Sequence, residues 1–308
     1  MLPQFLNKQG EVALLIASCF SELEIGSRVP NISELCAQFN VGAGTVQAAL
    51  KMLEAENAIE LQSRGHQGTT LEKIDRINLW KLANNSWICG AMPLPYTARL
   101  EGLATAFYKQ FEKAAVPFNL QYIRGGKARI QKFVSGAFNF AICSKTTANL
   151  AKNDFSDIEV LMDFGPCSYM DHTGVVFSDE LETEIRDGMK IGVDVFSYDH
   201  VYLNKRVCRD KEVTFIPLKY SELFAKLESK EIDASLWNWD ELQAKFSGKN
   251  IHRINERENA YVMDAGVAVL VVRNDDKKLK LLLQDILNPE GIREIQNRVI
   301  DRKITPSY

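Results

Sequence analysis

Four histidines, His66, His172, His200 and His252, are the natural candidates for proton transfer near neutrality, and they lie far apart in the chain. No H-x-x-x-H or H-E-x-x-H spacing puts two of them on one helical face, so the pattern predicts no metal site. Asp171-His172 and Asp199-His200 are adjacent pairs; sequence neighbours rarely face one site, and both read as surface loops. Gly125-Gly126-Lys127 lacks the earlier glycine of a phosphate loop, and Ala128 follows where serine or threonine is needed. No G-x-S-x-G elbow presents a serine nucleophile. Cys143 has no histidine placed by sequence to deprotonate it and reads as a buried structural thiol. The sequence predicts no catalytic residue, no metal and no cofactor. Its chemistry is recognition.

The recognition groups follow apolar runs. Trp87 to Met92 reads as a buried strand and leads through Pro93-Leu94-Pro95 to Tyr96 and Thr97, before a helix over Leu100 to Phe111. Phe118 to Ile123 is a strand that ends at Arg124-Gly125-Gly126-Lys127, before a helix over Ala128 to Val134. Phe138 to Cys143 is a strand that ends at Ser144 and Lys145, and Glu159 to Asp163 is a fourth. A second set has strands at Lys190 to Asp194, Val213 to Pro217 and Ala234 to Trp237. Helices near His200 to Val207 and Ser221 to Leu227 lie between them. An apolar strand from Ala265 to Arg273 and two helical patterns, Leu279 to Leu287 and Gly291 to Ile300, close the chain. Alternation of this kind predicts parallel sheets with helices on both faces, in two similar lobes. The connections near Thr173 to Asp187 and Arg253 to Ala265 are the expected crossings.

In open α/β sheets, ligands gather at the carboxyl ends of strands. The candidate ligand groups are therefore Tyr96, Thr97, Arg124, Gly125, Gly126, Ser144 and Lys145 in the first lobe. In the second they are Asp194, Ser197, Tyr198, Trp237 and Asn238. Two cations among hydroxyls suit a small ligand bearing a carboxylate or phosphate, and Asp194 with Asp240 suits an amino group on it.

The first 75 residues have a different texture. Val12, Leu15, Ile16, Cys19, Phe20 and Leu23 form one helical stripe, and Ile32, Leu35, Cys36 and Phe39 form another. Asn31 with Glu34 three residues on has the form of a capping box. After Asn40-Val41-Gly42, the residues Val46, Leu50 and Leu53 mark a third helix. Short strands at Ala58 to Leu61 and Thr69 to Leu71 flank the hairpin tip Arg64 to Gly68. This order is that of a winged helix-turn-helix. A division after residue 75 gives a DNA-binding domain over 1–75 and a two-lobed ligand-sensing domain over 76–308, with the polar stretch Lys73 to Ser86 as the boundary.

Val29 to Leu35, Val41 to Glu56 and the closing Gln62 to Thr69 resemble the GntR-type winged helix. The remaining residues resemble a type 2 periplasmic-binding-protein fold, and together the modules are similar to the YhfZ family of regulators. The resemblance implies a recognition helix whose two usual arginines are here Ala43 and Gln47, which removes the guanine readers. The candidate DNA contacts that remain are Arg28, Thr45, Gln47, Lys51, Arg64 and His66. Gln47 suits adenine, while Arg28, Lys51 and Arg64 suit phosphates.

Charge tempers this expectation. The 308 residues carry 37 basic and 40 acidic side chains, but residues 1–75 carry five basic and nine acidic ones. An acidic DNA module predicts weak or dimer-dependent binding, since counterion release scales with basic contacts. With 46% hydrophobic residues the chain has material for sizeable cores, so disorder and fibrous classes are excluded. No apolar run is long enough to span a membrane, the N-terminus has no signal-peptide pattern, and six scattered cysteines suit a reducing cytosol. The reading is a cytoplasmic homodimeric regulator that binds DNA and a small anionic or amino-acid-like effector, with no membrane partner. The alternatives are an enzyme of small-metabolite or cofactor biosynthesis on the same fold, or a degenerate regulator acting through a protein partner.

Overall fold

The computed structural model describes residues 7–84, 87–245, 250–254 and 263–308. They divide into two compact units. The first comprises Met1–Ile88, Phe111–Pro117 and Asp276–Asn288, and the second comprises Cys89–Gln110, Phe118–Asp275 and Pro289–Tyr308.

The first unit opens with helices α1 (Lys8–Phe20), α2 (Ile32–Phe39) and α3 (Ala43–Ala55), then the hairpin β1 (Ile59–Ser63) and β2 (Thr69–Ile74). The capping box closes as its spacing predicts: the Glu34 amide donates to the Asn31 side chain at 2.9 Å, and the Asn31 amide donates to the Glu34 carboxylate at 2.6 Å. Asn40 ends α2 in the left-handed region at φ 52°, which makes the tight turn into α3. Ile16, Phe20, Leu35, Val46, Leu53 and Leu71 bury the apolar faces of all three helices and the hairpin in one core. A helix, α4 (Arg76–Asn84), occupies the expected boundary segment. Its charges obscured the apolar positions Leu79 and Trp80, both buried. Arg76 ties it to the end of α1, donating to the carbonyls of Ser21 and Leu23 at 3.2 and 2.7 Å.

The second unit has two lobes. The first holds β3 (Ile88–Met92), α5 (Ala98–Ala114), β4 (Phe118–Tyr122), α6 (Gly126–Val134), β5 (Phe140–Ser144), α7 (Lys145–Ala151) and β6 (Ile158–Asp163). The chain crosses to β7 (Thr173–Phe177), β8 (Lys190–Asp194), α8 (Tyr198–Val207), β9 (Thr214–Leu218), α9 (Leu223–Glu228), β10 (Ala234–Asn238), α10 (Trp239–Lys245) and β11 (Ile251–Arg253). It returns as β12 (Ala268–Arg273), followed by α11 (Lys277–Ile286) and α12 (Pro289–Ile300). The strand orders are β4-β3-β5-β12-β6 and β11-β7-β10-β8-β9.

The sheets are mixed, which corrects the expectation of parallel ones. β12 runs antiparallel to β5 and β6, and β7 runs antiparallel to β10 and β11. Each is the strand made just after a crossing, so it enters its sheet from the opposite end. Thr173–Phe177 is therefore a buried strand and not part of a connection, and the first crossing lies at residues 164–172. Most of the second expected crossing, residues 255–262, lies outside the described residues. Side chains alternate as a pleated strand requires. Val175 and Phe177 pack beside Leu203 and Val207 of α8 on one face, while Val176 packs beside Leu223 and Leu227 of α9 on the other.

Helix α11 belongs to the first unit despite its late place in the chain. Arg76 of α4 lies 3.3 Å from the Asp285 carboxylate, and the Lys278 ammonium stands 5.3 Å from the centre of the Trp80 ring.

Candidate functional site

The carboxyl ends of β3 and β4 in one lobe and of β8 and β10 in the other surround a cavity of about 150 Å³. A cavity of about that volume in another protein admits benzene, so this one suits a ligand of few heavy atoms. The turns after the strands supply its polar walls because their backbone leaves the sheet there and points side chains into the gap.

Thr97 caps α5, accepting from the Leu100 amide at 3.3 Å. The Tyr96 hydroxyl accepts from Arg124 Nε at 3.2 Å, and the Arg124 guanidinium also stands 5.2 Å from the centre of the Tyr220 ring. Tyr220 stacks on Tyr96 and donates its hydroxyl to the Glu241 carboxylate. Burial first, then the Glu241 charge, pushes that hydroxyl far up, so it stays a donor. Gly125, at φ 81°, lets the backbone approach the second lobe: a Cβ there would stand 3.1 Å from the Phe196 carbonyl oxygen. Gly126 is needed because a Cβ would meet the Thr147 hydroxyl at 2.7 Å.

Deeper in the cavity lies Arg129, only 1% exposed. It donates to the carbonyls of Ile142 and Ile123 at 2.8 and 2.9 Å and to the Tyr169 hydroxyl at 3.2 Å. From the second lobe come Asp194, Ser197, Asp199, Asn238 and Glu241. The Asp194 carboxylate accepts from the Phe196 amide at 3.0 Å, and Ser197 caps α8 by accepting from the His200 amide at 3.3 Å. Guanidinium groups thus come from one lobe and carboxylates from the other.

Eight of the twelve ligand candidates read from the sequence line this cavity: Tyr96, Thr97, Arg124, Gly125, Gly126, Asp194, Ser197 and Asn238. Four do not. Ser144 is fully buried one layer behind, where its hydroxyl donates to Asp199 at 2.5 Å. Lys145 turns away to pair with Asp163 at 3.2 Å. Tyr198 donates to Asp154 and lines a separate surface groove with Lys127 and Lys205. Trp237, 2% exposed, lies in the core of the second lobe, its ring centre 3.9 Å from that of Tyr220.

Arg129, Tyr169, Asp199, Tyr220 and Glu241 escaped the sequence reading. Asp199-His200 is not a surface loop: Asp199 enters the cavity wall and His200 is buried. The signal was present, since both follow the Ser197 cap at the start of a helix after a buried strand. Asp171 also does more than sit on a loop, lying 3.8 Å from Arg99 of α5, which in turn pairs with Asp240 of α10 at 3.1 Å. Among the described residues no group of three His, Cys, Asp or Glu side chains is placed to hold a metal ion. No described helix is long and apolar enough to cross a membrane.

The candidate DNA face lies in the first unit. At the start of α3, Gly42, Ala43 and Gly44 are exposed and small, with Gln47 and Lys51 exposed on the following turns and Thr45 half-buried. Arg28 bridges to Thr70 beside the hairpin, and its guanidinium lies across Gly68. Arg64 and His66 are exposed at the hairpin tip, but Arg64 donates to Thr70 at 3.1 Å and pairs with Glu72 at 2.9 Å.

A model of a helix-turn-helix domain matches residues 24–71, and a model of the YhfZ C-terminal domain matches residues 75–308. The chain belongs to the YhfZ family. It is 26% identical over 305 residues to YhfZ of Escherichia coli (strain K12), covering 99% of both chains. Among solved structures, YhfZ from Shigella flexneri superposes with a TM-score of 0.61 at 24% identity, covering 76% of this chain and 98% of that one. The aliphatic sulphonate binding protein SsuA from Escherichia coli gives 0.54 at 12% identity, covering 71% of this YhfZ-family chain and 75% of its own. The methionine-binding protein MetQ gives 0.51 at 11% identity, covering 73% and 99%. These likenesses identify the two-lobed unit as a periplasmic-binding-protein-like fold.

Proposed function

We propose that this chain is a cytoplasmic, ligand-responsive transcriptional regulator that reads DNA as a homodimer. The cavity carries the reading: a helix-turn-helix domain shares its chain with a two-lobed binding fold whose lobes enclose a ligand-sized space with charged groups on both sides. Arg124 from one lobe and Asp194 with Glu241 from the other suit a small ligand with an anionic group at one end and an amino group at the other. Binding across both lobes would bias their closure, and a second copy of the chain would place two recognition helices on a palindromic site. Catalysis forms no part of the reading; burial pushes the Cys143 thiol up to about 12, which argues against that one group as a nucleophile.

The test is binding of the full chain to DNA from upstream of its own gene, followed by fluorescence anisotropy across a salt series. Salt-dependent binding that shifts with amino acids or small carboxylates supports the reading. Absence of binding at low ionic strength overturns the regulator, while binding indifferent to every such metabolite overturns only the effector.

A further inference from the structure

Two charged side chains cross the cleft in opposite directions. Arg124 of the first lobe lies over Tyr220 of the second. In return, Asp199 of the second lobe enters the first, where Ser144 Oγ donates to its Oδ1 at 2.5 Å. Ser144 is fully buried, and its oxygen also accepts from the Thr147 amide at 2.9 Å, so its one hydroxyl hydrogen is committed to the carboxylate. The Thr147 hydroxyl, also buried, makes no hydrogen bond among the described residues.

Behind them stands Arg129. Its donors go to two carbonyls and a tyrosine hydroxyl, all neutral, and among the described residues no carboxylate makes an ion pair with it. A guanidinium buried this deeply needs a nearby negative charge, and Asp199 is an acid that feels its field. Ser144 and Arg129, both from the first lobe, make a carboxylate site, with one hydroxyl donating in front and a fixed cation behind, and the unpartnered Thr147 hydroxyl is a further donor beside Ser144. The carboxylate that arrives comes from the protein itself.

We infer that the first lobe carries a carboxylate-binding site formed by Ser144, Thr147 and Arg129, which Asp199 of the second lobe occupies in the closed arrangement and which a free carboxylate contests. A carboxylate seated on this site favours separation of the lobes. The contact is reversible for a physical reason. Burial holds the Asp199 carboxyl above its ordinary range although the Ser144 hydroxyl and Arg129 pull the other way, so opening relieves a desolvation cost. The inference holds whatever ligand the 150 Å³ cavity accepts, because the two share a wall and not a donor set except Arg129.

Asp199→Ala in the full chain removes the internal carboxylate and leaves space for formate, the smallest carboxylate. Thermal melting is compared in sodium formate and in sodium chloride of equal ionic strength. The expected result is a melting temperature about 3 °C or more below wild type, of which formate restores about half in a saturable manner, with wild type responding less because its own Asp199 competes for the site. Asp199→Ala combined with Ser144→Ala is expected not to respond. A formate shift no larger than that of chloride, or one that persists in the double variant, overturns the inference. Should Asp199→Ala not fold, Asp199→Asn keeps the shape, and amide exchange over residues 144–151 is expected to quicken about threefold or more; unchanged exchange overturns the inference. Neither readout involves DNA, so failure here is distinct from failure of the regulator reading.

Discussion

The amide of Asp194 donates to Nδ1 of His200 at 2.7 Å, across the turn that joins β8 to α8. Nε2 of the same ring lies 2.7 Å from the Leu236 carbonyl oxygen in β10. An amide can only donate and a carbonyl can only accept, so the ring is neutral with its hydrogen on Nε2. His200 thereby ties together the two strand ends that carry Asp194 and Asn238 into the cavity.

Acid should loosen this tie. Burial depresses the His200 pKa below 6.5, although the Leu236 carbonyl and the Asp194 charge act in the opposite direction. The unfolded chain then binds a proton that the folded chain refuses, so stability is fully present above pH 6.5 and is lost as pH falls through the depressed value. Urea unfolding of wild type and His200→Gln, compared over that window, cancels what other groups contribute. The wild type is expected to lose stability more steeply; parallel pH profiles would contradict the assignment.

What the sequence made legible was local. Val12, Ile16 and Phe20 of the first stripe and the Asn31–Glu34 box are set by residues three or four apart and formed as spacing predicts, while Leu15 of the same stripe is exposed. Strand-end groups such as Tyr96, Arg124 and Asp194 were visible because a turn after a buried run marks itself. Arg129 was not, since an arginine one turn into a helix looks like a solvated charge until its partners close over it. Asp199 was hidden for the same reason, as Ser144, its partner, is 55 residues away. The direction of β7 and β12 depends on where the chain crosses between lobes, which no local pattern records.

On the hairpin, Arg64 is neutralised by its own neighbour. Thr70 and then Arg64 hold the Glu72 carboxyl below its ordinary range. Glu72→Gln should release Arg64 toward a phosphate. The expected gain is about threefold to tenfold in affinity, with the slope of log affinity against log salt steeper by about one. Lys51→Ala should make that slope shallower by about one, equally across DNA sequences. Indifference of both slopes would place the hairpin and α3 away from DNA.

Arg99 joins the lobes at a second point. Its Nε lies 3.1 Å from Asp240, its Nη1 donates to the Cys167 carbonyl at 2.5 Å, and Asp171 lies 3.8 Å away. Arg99→Met retains the aliphatic stem but removes the Asp240 pair and leaves the Cys167 carbonyl to Arg293 and Asp171 to His172, and is expected to cost about 2 kcal/mol by urea unfolding. Asp240→Asn, which leaves the other two contacts, should cost less than half as much. Equal losses would mean that the pair with Asp240 alone carries the junction.

Trp237 separates packing from recognition. Its position near the end of β10 suits a ring that stacks on a ligand, yet it is buried among Tyr220, Phe224 and His200. Its Nε1 hydrogen is buried without a hydrogen-bond partner among the described residues, so the indole contributes shape and not polarity. Trp237→Ala should therefore cost about 3–5 kcal/mol, the range for emptying a large aromatic site. Trp237→Phe surrenders the unpaired N–H together with part of the ring and should cost about 1.5 kcal/mol or less. The phenylalanine variant should also bind any cavity ligand as wild type does, because Tyr220 and not Trp237 presents its ring to that space. A Trp237→Phe protein of normal stability that has lost ligand binding would return the tryptophan to the site.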